Sequence, residues 1–507
     1  MKKMKKIMAL MLATIMMMVM SVPVFAAGTT HSLTVNVKGG QDLKGQTINL
    51  YKLFDVTESK SGETTNYAYT VNGTYKATLA SVLGISADSK DEAFAAAVTQ
   101  LGTNNSTEVQ NFANTFTTKA LEGKLAATKT SNKIADSKTS YEFTGLDAGY
   151  YLVYVTGGKE IQSSLVTVDE TTNTVNLKTE APSITKKADK ETAEIGKVVK
   201  YTVTGVIPDT TGYDEYVYKI HDELSTGLDF VNDANGTALG EGATTVKVKV
   251  AFKDTGVTDA STAPTTATLA TDNSKKMSLD LSAWVKANQT NKGKEFTVTY
   301  YAKVNKDAEV TNNNKASLEY GNKPGDTTTT TPSEAKTNTY PLDIKKTNKK
   351  TSGLLAGAKF SLYRNETDAK NGENAITVTG SNGSYVVDPT STTTEFESVE
   401  EITGAGYNLR VNGLAEGTYY LVETKAPEGF NKLTAPIKVT ITKTGDTEWT
   451  VKKNDKAEDD KIIDVENSTG SLLPSTGGRG AIAFAVIAAV LVFGVAVSFI
   501  RDKRKEE

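Results

Sequence analysis

Three residues far apart in the chain share the strand parity that would turn them inward. In Leu342-Asp343-Ile344-Lys345-Lys346, alternation puts Leu342, Ile344 and Lys346 on one face. Tyr419, Leu421 and Glu423 share a face in a second apolar segment, and Ile463, Val465 and Asn467 share one in a third. A lysine, a glutamate and an asparagine are therefore expected at core-facing positions. Burying a lone ammonium or carboxylate is costly, so burial lowers a lysine pKa and raises a carboxyl pKa. A neutral Lys346 amine is a nucleophile. A protonated Glu423 can polarise the Asn467 amide carbonyl and shuttle protons. The product would be a Lys346–Asn467 isopeptide with ammonia released, formed once and within the chain. The competing reading is a buried ion pair with no bond formed. A second set has the same ingredients: Ile184, Lys186 and Ala188 alternate, as do Ile220, Asp222 and Leu224, and Asn314, Ala316, Leu318 and Tyr320. Parity assigns Lys186–Asn314 with Asp222 as the acid. Lys187 and Asn322 are the alternatives.

The elements that must position these groups are strands. Thr, Val, Tyr and Gly are abundant, and Leu33-Val35-Val37, Val246-Val248-Val250 and Phe296-Val298-Tyr300 alternate with polar residues. The expected fold is mainly β, with tandem Ig-like sandwiches. Composition shifts set the boundaries. Residues 27–180 form a first domain, 181–323 a second, 324–339 a Thr/Pro linker around the five threonines Thr327 to Thr331, and 340–470 a third. The first domain has two amphipathic helical stretches, Phe94-Ala97-Val98-Leu101 and Val109-Phe112-Ala113-Phe116-Ala120, expected to cover a sheet. Its segment Gly145–Tyr154 parallels the one that carries Glu423, with Tyr154 in the glutamate's place, and Lys38 is out of phase with the apolar face. A covalent staple is not expected there.

Both ends carry addresses. Lys2, Lys3, Lys5 and Lys6 precede an apolar run closing on Val24-Phe25-Ala26, a signal peptide over 1–26 with cleavage after Ala26. Residues 471–507 contain Leu473-Pro474-Ser475-Thr476-Gly477, then an uncharged run from Ala481 to Ile500, then a Lys/Arg-rich tail. The run is roughly 30 Å long as a helix, enough to cross a bilayer once. The chain has no cysteine, so disulfides, thiol nucleophiles and Cys-Gln thioesters are excluded. Only His31 and His221 are present, which argues against a histidine-based metal site or triad, and no cofactor is expected. A net charge of −3 gives no sign of nucleic-acid binding.

The C-terminal pentapeptide, span and basic tail resemble the LPXTG sorting signal of Gram-positive surface proteins. That resemblance implies a sortase cutting between Thr476 and Gly477 and passing the Thr476 acyl group to an amine. The third domain, with Leu355–Tyr363 and Gly417–Phe430, resembles a Cna-B domain. The second, with Ile220–Phe230 and Asn314–Asn322, resembles the Cna-A-like isopeptide-forming domain of sortase-assembled pilins. Together these imply a major shaft pilin with Lys–Asn isopeptide bonds, its own copies, minor pilins, a pilin-polymerising or housekeeping sortase and peptidoglycan as partners, and a place in the cell wall. Shaft pilins of this type put the acceptor lysine at the end of the first domain, here Lys178 in Thr174-Val175-Asn176-Leu177-Lys178, although the Tyr-Pro of the pilin motif is replaced by Asn-Leu. The expectation is a structural protein and not an enzyme. The alternative is a monomeric wall-anchored adhesin for host matrix or glycan.

Overall fold

The computed structural model describes residues 30–470, except for 38–42, 62–63, 103–105, 157–162, 170–171, 178–180, 212, 309 and 324–325, together with a few positions between 488 and 495. It falls into two compact units. One comprises 1–191, 197–307 and 312–337, and the other 192–196, 308–311 and 338–507. The expected first domain and all of the second except 192–196 and 308–311 thus lie within one unit, each with its own pair of sheets.

In the first of these, a three-stranded sheet runs Ser140–Leu146, His31–Val37, Thr172–Leu177, with His31–Val37 parallel to Thr172–Leu177. A five-stranded sheet is built on Thr47–Ser61 and Gly149–Thr156. The strand Gly149–Thr156 reads as a continuous apolar run because both its faces are covered. Val153 and Val155 pack with Leu33, Val35 and Ile48 between the sheets. Leu152 and Tyr154 pack on the opposite face under Phe112 and Phe116 of the helix Thr107–Glu122. That helix starts at Ser106, whose hydroxyl accepts the Val109 N–H at 3.1 Å. The expected helical cover is present as Asp91–Gln100 and Thr107–Glu122, and a third helix, Lys76–Leu83, joins it.

The second pair of sheets in this unit forms a sandwich. One sheet contains Thr185–Ala188, Val198–Val206 and Glu295–Val304, and the other contains Tyr218–Leu224 beside Thr311–Lys323. The expected linker is structured here: Asp326–Thr329 and Ser333–Asn338 are strands, both paired with Thr311–Lys323. Threonine is a good strand former, and the run found an open sheet edge. Thr328 donates its hydroxyl to the Gly45 carbonyl at 3.0 Å, and Lys133 donates to the Thr327 carbonyl, so the run also touches the first pair of sheets.

The other unit is a separate sandwich. One sheet has Leu409–Leu414, Tyr340–Asn348 and Ile462–Asn467 as neighbours, and the other centres on Lys359–Tyr363, Gly417–Lys425 and Ile437–Lys443. Tyr340–Asn348 and Ile462–Asn467 run parallel, with Lys346 opposite Val465. Among the described residues no helix is long and apolar enough to cross a membrane. Of the apolar run 481–500, only positions 488, 489, 491, 492 and 495 are described, all helical and exposed.

Candidate functional sites between the sheets

The third sandwich buries Lys346 completely. Its strand alternates Leu342, Ile344 and Lys346 inward, as parity required. The Lys346 Nζ lies 3.4 Å from Glu423 Oε1 and donates to the Val465 carbonyl at 3.3 Å. Glu423 stands on the facing sheet, equally buried, and its Oε2 accepts from Asn467 Nδ2 at 2.9 Å and from the Leu433 N–H at 2.8 Å. Asn467 also donates to the Asn431 carbonyl at 2.6 Å. One carboxyl group therefore reaches the lysine with one oxygen and the asparagine amide with the other. Burial pushes the Lys346 ammonium down to about 8, against the opposing pull of Glu423. Glu423 Oε1 and Asn467 Oδ1 accept no hydrogen bond.

The second sandwich repeats the arrangement with different parts. Lys186, Asp222 and Asn314 are all buried, Lys186 on one sheet and the other two on the facing one. Asp222 and Asn314 sit on adjacent antiparallel strands. Lys186 Nζ contacts Asp222 Oδ2 and the Tyr300 hydroxyl, and Tyr300 in turn donates to Asp222 Oδ2. Asn314 Nδ2 donates to the same hydroxyl at 3.3 Å. The Lys186 Nζ lies 5.0 Å from the Tyr300 ring centre and 5.2 Å from that of Tyr201. Burial lowers Lys186 to about 8 and raises the Asp222 carboxyl, in each case against the pull of the partner. Asp222 Oδ1 and Asn314 Oδ1 accept no hydrogen bond. The first-choice residues of the sequence reading are thus brought together. Lys187 is exposed, and the Asn322 side chain lies outside the described residues. Tyr300 was missed as a functional group, since its alternation with Phe296 and Val298 reads as core alone.

The first pair of sheets has the same strand arrangement as the third sandwich but lacks the polar set. His31 pairs with Leu146 as Tyr340 pairs with Leu414, and both strands then shift register. Val37 therefore occupies the Lys346 position, opposite Leu177 as Lys346 is opposite Val465. The Tyr151 hydroxyl donates to the Asp147 carbonyl and the Tyr419 hydroxyl to the Ala415 carbonyl, each at 2.9 Å and each four residues back. That shared bond fixes the alignment and corrects the sequence reading: Val155, not Tyr154, matches Glu423. Tyr154 points to the helical side, one residue out of phase. Two valines in the intersheet core replace the lysine and the acid.

The predicted signal peptide with Ala26, Lys38, Lys178 and the pentapeptide Leu473, Pro474, Ser475, Thr476 and Gly477 lie outside the described residues. Among those described, no group of three or more His, Cys, Asp or Glu residues could hold a metal ion.

The second and third sandwiches thus each seal a lysine, an acid and an asparagine between their sheets. Residues 341–456 match the family model of the SpaA prealbumin-like fold domain. The chain is also similar to the type 1 fimbrial subunit of Actinomyces viscosus, 32% identical over 161 residues that make up 29% of this chain and 28% of that protein. The match thus spans less than a third of the curated relative. Two solved structures are similar. The T6 backbone pilin of serotype M6 Streptococcus pyogenes covers 87% of this chain and 99% of its own, at 17% identity and a TM-score of 0.42. The Corynebacterium diphtheriae major pilin SpaA covers 87% of this chain and 100% of its own, at 18% identity and a TM-score of 0.44.

Proposed function

We propose that this chain is the structural subunit of a covalently polymerised cell-surface pilus, stiffened by two self-formed isopeptide bonds, Lys346–Asn467 and Lys186–Asn314. The observation that carries the reading is the doubled site: a fully buried lysine against a buried acid whose other contacts lead to an asparagine amide. A permanent ion pair would leave the asparagine amide oxygen without a donor at both sites. A proton on the acid supplies a donor and leaves the lysine as a neutral amine. Attack of Nζ on the amide carbon then forms the C–N bond, one Nζ proton passes to Nδ2, and ammonia leaves.

Each bond would join the first strand of its sandwich to a late one. In the third, Tyr340–Asn348 and Ile462–Asn467 are already neighbours. Load applied along the chain would then cross the domain through a covalent bridge, with the strands between carrying little of it. A buried staple of this type also needs no cysteine, which the chain lacks.

The similarity to a fimbrial subunit and the sorting-type pentapeptide support the polymer reading. In it, a sortase transfers Thr476 to Lys178 of the next copy, giving a head-to-tail contact that does not close and so grows as a filament. Minor pilins and peptidoglycan would be its further partners, and adhesion and colonisation its service to the cell. Wall extracts boiled in denaturant and immunoblotted test this: a high-mass ladder that vanishes in Lys178→Ala supports a pilus. A single band in the unaltered chain contradicts it and favours a singly anchored adhesin.

A further inference from the structure

The two sites differ in how the attacking and leaving nitrogens are connected. In the third sandwich Glu423 does it alone: Oε1 is 3.4 Å from Lys346 Nζ and Oε2 is 2.9 Å from Asn467 Nδ2. In the second, the acid is an aspartate, one methylene shorter, and the Asn314 amide donates to the hydroxyl of Tyr300 at 3.3 Å. That hydroxyl also receives Lys186 Nζ and donates to Asp222 Oδ2. Tyr300 therefore touches the nitrogen that must lose a proton, the nitrogen that must gain one, and the acid between them. Its ring is held by stacking on Tyr201, with centres 5.8 Å apart, and by Phe230 at 6.0 Å. A phenylalanine would fill the same volume, so packing does not account for the hydroxyl.

We propose that Tyr300 is a catalytic residue of the second site, relaying a proton from Lys186 Nζ to Asn314 Nδ2 during isopeptide formation. This rests on the reading that the Lys186–Asn314 bond forms. As Nζ attacks the Asn314 amide carbon, it carries one proton too many. The Tyr300 oxygen takes that proton and gives its own to Nδ2, while Asp222, already protonated, keeps its proton. The C–N bond to Nδ2 breaks, ammonia leaves, and both Tyr300 and Asp222 end in their starting protonation states. No oxidant, metal or co-reactant is consumed. The charged and titratable groups facing the hydroxyl are Lys186, Asp222 and, through its ring, Tyr201. Among the described residues no tyrosine hydroxyl joins the hydrogen bonds of the third site, which serves as an internal control.

The test follows cross-linked peptides by mass spectrometry at intervals during cell-free synthesis of the full chain. Four forms are compared: wild type, Tyr300→Phe, Asp222→Ala, and a chain with 3-fluorotyrosine placed at 300. Tyr300→Phe is expected to slow the Lys186–Asn314 bond roughly 100-fold, in the range usual for a lost proton-transfer group, and to leave the Lys346–Asn467 bond at its normal rate. The fluorinated phenol keeps the shape but is more acidic, so the rate of the Lys186–Asn314 bond below about pH 8 should depart from the wild-type rate while that of the Lys346–Asn467 bond does not. That readout holds even where Tyr300→Phe fails to fold. Wild-type rates in both variants would overturn the relay while leaving the bond reading intact. Absence of the Lys186–Asn314 peptide in the wild type would overturn the bond reading, and the relay with it.

Discussion

Replacing Glu423 by glutamine keeps the length and shape of the side chain and removes the proton that bond formation requires. The side-chain carbonyl of glutamine can still accept the Leu433 N–H, which Glu423 now receives at 2.8 Å, so the local loop should persist. Lys346 is fully buried and would keep the Val465 carbonyl at 3.3 Å as its acceptor. Two losses follow. The missing link would have closed a loop of about 120 residues, which the chain-entropy relation values at about 5 kcal/mol. Breaking one side of a buried pair adds roughly 3–5 kcal/mol for the uncompensated ammonium. Their sum is comparable to the whole stability of an ordinary domain. Loss of the link alone should lower the third sandwich's Tm by about 15 °C or more. Intact mass and differential scanning calorimetry on the full secreted chain read both effects. The variant should be heavier than the wild type by about one ammonia, roughly 17 Da after allowing for the substitution. A variant with the cross-link still formed would refute the role of the acid. An unlinked variant melting within a few degrees of the wild type would refute the energetic argument.

Other outcomes follow from the same geometry. In an unlinked Asn467→Ala chain, Lys346 is lowered to about 8 in the folded state from an unfolded value of 10.5. Between those values the unfolded chain binds more protons, so stability should rise with pH by up to about 3 kcal/mol, and that gain is lost as pH falls through about 8. The linked wild type has no such amine and should show no such rise when its melting is followed across that range. For the second site, the reactive state holds one proton shared by Lys186 and Asp222, so the bond-forming rate should fall above about 8 as that proton is lost. A rate that stays level to pH 10 would mean the acid is dispensable. Gly45 has φ +77°, and a Cβ there would lie 2.3 Å from Thr328 Cγ2. Gly45→Ala should therefore destabilise the first unit by about 1 kcal/mol or more, read by denaturant titration.

Much of the site was legible because strand parity is a strict rule. Lys346, Glu423, Asn467, Lys186, Asp222 and Asn314 each sit in an alternating segment whose apolar members are unmistakable, so inward placement followed from counting by twos. What escaped was information that alternation does not carry. Tyr300 looks the same whether its hydroxyl is idle or shared by three groups. Tyr154 and Val155 lie in a run that is apolar on both faces, where parity gives no phase; counting on from Gly145 and Gly413 puts Val155 in the place of Glu423, and the matching Tyr151 and Tyr419 hydrogen bonds agree. The helix Lys76–Leu83 carries only Leu79 and Ala80 as buried residues, too few for a clear periodic stripe. The Thr327–Thr331 run reads as a linker by composition, yet its strand propensity and the open edge of Thr311–Lys323 decided its fate.

The central claim is that two buried Lys–acid–Asn sets close into amide bonds while the first domain, with Val37 and Val155 in the equivalent places, does not. Intact mass of the secreted wild-type chain, followed by peptide mapping, tests it most directly. The account predicts a mass lower than the sequence mass by two ammonia losses, about 34 Da. The losses should map to Lys186–Asn314 and Lys346–Asn467, with every peptide of the first domain unaltered. An intact mass equal to that of the unmodified sequence would contradict it.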